Sequence, residues 1–306
     1  MCKNNSNSCL LCPRDCGADR FAGIRGYCGE TNTIRIARAA LHMWEEPVIS
    51  GEKGSGTVFF TGCNLKCIFC QNASLAANEI GKEVTVEELA EIFLKLQAQG
   101  ANNINLVTPS HYVPQVAKTI PIARNQGLKI PIVYNTSSYE KPETLRMLDG
   151  LVDVYLPDFK YMDANHARAY SKAEDYPQVA MAAISEMYRQ VGTPAFDETS
   201  GLMQKGVIVR HLLMPGAVGN AKDVIDYLYD TYGDNIFISL MNQYTPMKKF
   251  PEYPNLNHKV TKREYEKVIQ YALDKGVSNA FIQEGETAKE SFIPAFDLTG
   301  VSLGKS

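Results

Sequence analysis

Residues 57–72 read TVFFTGCNLKCIFCQN. The apolar run Val58-Phe59-Phe60 has the look of a strand, and Thr61-Gly62 leads from it into Cys63-x3-Cys67-x2-Cys70, with Phe69 just before the last cysteine. Three thiolates on one tight loop can hold three corners of a cubic iron–sulfur cluster and leave the fourth iron without a protein ligand. A metal with an open position can do chemistry.

Two other readings fit the spacing. Positions i, i+4 and i+7 also mark one stripe of a helix, and cysteine is a common core residue. Against this, Gly62 and Asn64 flank the first cysteine, and both favour turns over helix interiors. A zinc site would need a fourth ligand, and none stands close by on this loop.

Outward from the loop, the chain divides unevenly. All eight cysteines of the 306 residues lie at or before Cys70. The composition, 45% hydrophobic and 21% charged, is that of a folded chain able to bury a sizeable core. A formal charge of −3 gives no electrostatic case for nucleic acid or an anionic membrane. No apolar run approaches membrane-spanning length, and MCKNNSNSCLLCPRDC lacks the apolar core of a signal peptide. The expected location is therefore the cytoplasm, where clustered cysteines more often bind metal than form disulfides.

Residues 1–50, rich in Cys, Gly and Arg, read as a loop-rich, Cys-rich extension held by a metal. Cys9-x2-Cys12-x3-Cys16-x11-Cys28 supplies four thiols suited to structural zinc or a second iron–sulfur cluster, and Cys2 reads as a spare. Residues 51–284 alternate strands and helices. The strands are TVFF (57–60), NINLV (103–107), PIVY (131–134), VDVYL (152–156), VIVRHLLM (207–214), NIFISLM (235–241) and NAFIQ (279–283). The helices include 86–99, 141–150, 221–233 and 261–276, with capping boxes at Thr85/Glu88 and Thr261/Glu264. Short strands that are apolar on both faces imply a parallel sheet covered by helices. That is an α/β fold, an open or incomplete (β/α) barrel in preference to a closed eight-stranded one, or else a doubly wound sheet. Residues 285–306 read as a tail without pattern.

The cysteine loop resembles the signature of the radical SAM superfamily. VTPSHYVP, VYNTSSYE, VDVYLPDFKYMD, IVRHLLMPG and SLMNQYTP resemble segments of its pyruvate formate-lyase activating enzyme-like branch, in particular its uncharacterised iron–sulfur proteins. The resemblance implies a partial (β/α)6 barrel carrying a [4Fe–4S] cluster on Cys63, Cys67 and Cys70. The open iron would chelate the amino and carboxylate groups of S-adenosylmethionine. A one-electron donor such as flavodoxin or ferredoxin would reduce the cluster, the sulfonium C–S bond would break, and a 5′-deoxyadenosyl radical would take a hydrogen atom from the substrate. The branch's activating enzymes make a glycyl radical on a partner enzyme, so a protein substrate is the first expectation. A small-molecule substrate, or a non-catalytic iron–sulfur or zinc electron-transfer or assembly protein, are the alternatives.

One departure bears on the cofactor. Activating enzymes usually carry Gly-Gly-Glu-Pro after the second strand; here Thr108, Pro109, Ser110 and His111 stand there, so the methionyl end falls to Thr108 and nearby carbonyls. Phe69 is expected beside the cluster or adenine, or simply in the core. Asn135 and Thr136, at the end of PIVY, either contact the cofactor or cap a turn. Asp158 and Lys160 either hold substrate or cofactor carboxylate or form a structural ion pair. Arg210 and His211 must point to opposite faces of their strand. Asn242, Gln243 and Tyr244 close the sixth strand at the pocket side. No hydrolytic triad pattern or Gly-rich phosphate loop is present.

Overall fold

The computed structural model describes residues 8–283 and 294–301. Ten strands occur among them: β1 (Ile34–His42), β2 (Ser55–Phe60), β3 (Lys82–Val84), β4 (Ile104–Val107), β5 (Ile132–Thr136), β6 (Val154–Pro157), β7 (Ala195–Phe196), β8 (Met203–Leu212), β9 (Phe237–Met241) and β10 (Ala280–Ile282). They form one sheet in the order β10-β9-β8-β6-β5-β4-β2-β1-β3, with β7 paired to β8 alone. From β2 to β10 all neighbours run parallel. β1 runs antiparallel to β2, and β3 antiparallel to β1. β10 and β3 end the order without pairing to each other, so the sheet stays open.

The seven sequence-read strands are the seven parallel ones. Their continuous apolar runs follow from burial on both faces: every residue of β2, β4, β5 and β6 is buried. Helix Val86–Ala98 starts at a full Thr85/Glu88 capping box and buries Leu89, Ala90, Ile92, Phe93 and Leu96. Helix Lys262–Lys275 has the matching Thr261/Glu264 box and ends at Gly276. Burying one such Phe or Leu stabilises the fold by about 1.5–3 kcal/mol, so each apolar face suffices to seat its helix. The stretch 141–150 is shorter than expected, one turn at Pro142–Leu145 and a 3-10 turn at Arg146–Leu148.

Two readings of the ends change. The loop-rich extension does not run to residue 50, because β1 lies inside the sheet against β2. Arg35 and Arg38 interrupt its apolar pattern, yet Ile34, Ile36, Ala37 and Ala39 are buried. The described part of the tail, 294–301, is also not patternless in space. Leu298 and Thr299 pair with Ala37 and Ala39 of β1, Asp297 meets Arg38 at 2.9 Å, and Val301 is buried. Cys2 and residues 284–293 and 302–306 lie outside the described residues. No helix among the described residues is long and apolar enough to cross a membrane.

Candidate functional site

The C-terminal ends of the parallel strands converge on one cavity. β2 delivers Cys63, Cys67, Phe69 and Cys70; β4 delivers Thr108; β5 delivers Asn135 and Thr136; β6 delivers Asp158 and Lys160; β8 delivers Arg210. In open parallel sheets this is the edge where ligands bind. Every strand-end residue singled out from sequence for the cofactor therefore lines the same space.

The cysteine loop is fixed from beneath. Gly62 has φ of +82°, and a Cβ there would stand 2.6 Å from Glu30 Cγ and 2.9 Å from the Cys28 carbonyl oxygen. Only glycine allows the chain to turn at that point. The Asn64 side-chain amide donates to the Tyr139 carbonyl at 2.7 Å, and Ile68 N–H donates to Tyr170 O at 2.9 Å. Leu65 N–H reaches Cys63 Sγ at 3.4 Å, and Ser171 Oγ donates to Cys67 Sγ at 3.1 Å. Burial, followed by the neighbouring Cys67 and Cys63, pushes the Cys70 thiol up to about 12, and burial likewise raises Cys67 despite Lys160 nearby. Desolvated thiols with N–H and O–H donors on their sulfurs suit ligands that lose their protons to a bound cation.

Among the described residues, no three Cys, His, Asp or Glu side chains surround a common ion position. That counts against zinc at this loop, which needs its ligands around a single ion. A cubane places each cysteine on its own iron, so its ligands need not converge. The donor set of Cys63, Cys67 and Cys70 fits the cubane.

Phe69 packs in the core, edge-on against Tyr170 and Tyr244, and it also lines the cavity. Thr108 holds φ of +59°, unusual for a β-branched residue, with its N–H on Asn135 O at 2.9 Å. Such strain costs on the order of 1–3 kcal/mol and collects at functional sites. Thr136, buried behind the rim, donates to Glu140, which also accepts from Tyr134 at 2.8 Å and Ser110 at 3.1 Å.

The charged wall is a network. Lys160 Nζ meets Asp158 at 2.6 Å, and Arg210 Nε meets the other oxygen of Asp158 at 3.0 Å. Arg210 continues to Asn135 Oδ1 at 2.6 Å and to Glu45 at 3.3 Å. Burial alone would raise the Asp158 carboxyl, but the Arg210 and Lys160 charges overcome it and hold it below the usual range. The Asp158–Lys160 pair is thus structural and cavity-lining at once. Arg210 faces the cavity. His211 points to the other side, fully buried with Nδ1 on Phe159 O at 2.7 Å, and burial drives its pKa down to about 4.

Gln243 lines the cavity and accepts from Gln71 at 3.1 Å; Tyr244 is buried with its hydroxyl on Leu256 O, and Asn242 N–H bonds Gln283. Sequence reasoning missed His42, Trp44 and Glu45, which line the cavity from the antiparallel side. The available signal was the only tryptophan of the chain beside an acidic pair, in Trp44-Glu45-Glu46.

The profile of the Radical SAM superfamily matches residues 57–216. The uncharacterized protein MJ0674 of Methanocaldococcus jannaschii is 30% identical over 281 residues, covering 89% of this chain and 76% of that protein. The chain belongs to the radical SAM superfamily. Among solved structures, the FeFe-hydrogenase maturase HydG from Carboxydothermus hydrogenoformans shares the fold at a TM-score of 0.52 and 13% identity, with 75% of this chain and 53% of that one covered. This chain thus spans about half the length of HydG. A looser likeness joins it to a domain of pyruvate-formate lyase-activating enzyme from Bacteroides vulgatus, at a TM-score of 0.38, 15% identity, 56% of this chain and 93% of that one. A mostly parallel open α/β sheet of the radical SAM superfamily is therefore the class of the molecule.

Proposed function

We propose that Cys63, Cys67 and Cys70 ligate a [4Fe–4S] cluster and that the chain cleaves S-adenosylmethionine reductively to modify a protein substrate, by forming a glycyl radical on a partner enzyme. The observation that carries this reading is the set of three cysteines, each lining the cavity into which the other strand ends project. Bound there, the cluster would supply the electron that breaks the sulfonium C–S bond and releases the 5′-deoxyadenosyl radical.

The protein's own contribution is placement and shielding. Thr108, Asn135, Thr136 and Lys160 stand at three strand ends around one volume, positioned to orient the polar groups of S-adenosylmethionine. Phe69, Leu65, Phe59 and Val107 give the same cavity an apolar lining that excludes water from a reactive intermediate. Arg210 keeps Asp158 charged, and Asp158 in turn fixes the Lys160 ammonium toward the cysteines. Support for a polypeptide substrate comes from the unclosed sheet and from Trp44 and Met247, which line the cavity and remain 61% and 45% exposed. The electron donor is proposed to be a flavodoxin or ferredoxin.

Reduced, anaerobically reconstituted protein mixed with S-adenosylmethionine should release 5′-deoxyadenosine, with Cys70→Ala as control. No turnover above that variant would defeat the reading. Pull-down of a partner that gains a glycyl radical signal at low temperature supports the protein substrate; a small metabolite consumed in step with 5′-deoxyadenosine overturns it.

A further inference from the structure

Helix Ala164–Ser171 ends against the cysteine loop, and the chemistry of its last residue is not used by the cavity. The helix closes on Lys172 in the left-handed region, φ +49°, with Lys172 N–H on Arg168 O at 3.0 Å and Ala173 N–H on Ala167 O at 3.2 Å. A serine within a helix often turns its hydroxyl back to the carbonyl four residues earlier. For Ser171 that carbonyl belongs to Ala167, and it already accepts from the Lys172 and Ala173 N–H groups. The hydroxyl is directed elsewhere. Ser171 Oγ stands 3.1 Å from Cys67 Sγ and 2.8 Å from Tyr161 Oη. Ser171 and Tyr161 are both buried, which keeps bulk water from competing for these bonds.

The helix end is tied to the loop at further points. Ile68 N–H donates to Tyr170 O at 2.9 Å. Arg14, from the front module of residues 9–28, spans the seam. On the helix side its guanidinium donates to Ser171 O at 2.8 Å and to Lys172 O; on the loop side it donates to Asn64 O at 2.8 Å and Leu65 O at 3.3 Å. The last carbonyls of a helix carry its partial negative charge, and a guanidinium placed on them offsets that charge beside the cysteines. The Tyr161 ring stands edge-on to Tyr176 at 5.2 Å between centroids and is tilted against Tyr170 at 6.3 Å, which fixes where its hydroxyl points.

The direction of this chain of hydroxyls follows from proton counting. A cysteine that ligates iron has lost its proton and can only accept. Ser171 must then give its single proton to Cys67 Sγ, and its oxygen is left to accept from Tyr161. Donors in series polarise one another, so the bond at the sulfur is strengthened by the one behind it. Negative charge gained on one-electron reduction is shared with the ligand sulfurs, and a donor on such a sulfur stabilises the reduced form. We propose that Tyr161 and Ser171 form a hydrogen-bond relay onto Cys67 that raises the reduction potential of the bound cluster. The electron comes from the flavodoxin or ferredoxin donor, and both protons stay on their hydroxyl oxygens. Ser171 and Tyr161 act through Cys67 and are positioning residues. The inference rests on the cluster reading above.

A redox titration followed by electron paramagnetic resonance tests this on anaerobically reconstituted wild type, Ser171→Ala and Tyr161→Phe, with iron counted in each. All three should load about four irons per chain. At a fixed solution potential, Ser171→Ala should move the ratio of oxidised to reduced cluster at least about threefold toward oxidised. Tyr161→Phe, which leaves the serine hydroxyl on the sulfur, should move it the same way by a smaller factor. Loaded Ser171→Ala with an unchanged ratio, or with a shift toward reduced, overturns the relay and leaves the cluster reading standing. Should Ser171→Ala load no iron, Tyr161→Phe decides: a shift toward oxidised supports the relay, and an unchanged ratio overturns it. Wild type that loads no iron defeats the cluster reading and the relay with it.

Discussion

The two groups of cysteines in this chain have similar spacing and opposite surroundings. At the front, the Cys16 and Cys28 sulfurs flank the bare Gly26, with carbonyls and arginines around the group. On the β2 loop, the thiols turn toward a space that they share with polar side chains from four other strands. The contrast shows that similar spacing does not set similar surroundings. What lies opposite the sulfurs decides whether a bound metal is closed in or left open to chemistry.

The largest effect is expected on the β2 loop. Cys70→Ala should cut 5′-deoxyadenosine formation by about 100-fold or more. Turnover within about tenfold of the wild type would remove the cluster from this loop.

Acid probes the seam between them. His111 Nε2 donates to Thr61 O at 2.7 Å and its own carbonyl accepts from Arg20, so it sits between module and loop. Burial, then the Arg20 charge, drives its pKa down to about 3. Between about pH 6.5 and that value, the unfolded chain binds a proton at this histidine that the folded chain does not. Stability from this group is thus fully present above pH 6.5 and lost as the pH falls, by about 1.4 kcal/mol per pH unit. Urea titrations of wild type and His111→Gln from pH 7.5 to 4.5 should show the wild type losing stability faster by that slope. The comparison cancels Glu46 and Glu140, whose raised pKa values act in the opposite direction. Parallel profiles would sink the idea of a neutral buried seam.

On the open side, Arg210→Met should destabilise the fold by about 3 kcal/mol, since it removes the guanidinium shared by Asp158 and Glu45 and leaves them to Lys160 and to the Asn105 amide, and urea unfolding measures it. An effect below about 1 kcal/mol would mean that water screens the wall. The smallest effect is expected at Thr108→Gly. Relief of the left-handed φ should raise stability by about 1 kcal/mol while removing a cavity hydroxyl. A lower melting temperature would show that the side chain stabilises the fold by more than its backbone strain costs.

The sequence exposed whatever depends on continuous apolar runs or on fixed local chemistry. The parallel strands, both capping boxes and the strand-end positions Thr108, Asn135, Thr136 and Lys160 were legible for that reason. β1 was hidden because Arg35 and Arg38 break its run and their partners, Glu30 and Asp297, lie elsewhere in sequence. Helix Val113–Asn125 was hidden by Pro114 and Pro121, the second inside the helix. Glu45 reaches the cavity only through the antiparallel hairpin of β1 and β2, which no local pattern announces. Alternation required Arg210 and His211 to part, but only the neighbouring Asp158 and Asn135 decide which one turns inward.

The Glu45, Asp158, Arg210 and Lys160 wall has a bearing on selectivity. Two negative and two positive groups already satisfy one another, so an arriving guest gains nothing from total charge. A guest with paired ends of opposite sign can exchange contacts one for one. A guest of single sign leaves an internal partner stranded, and the cavity rejects it by where its charges lie and not by how many it carries.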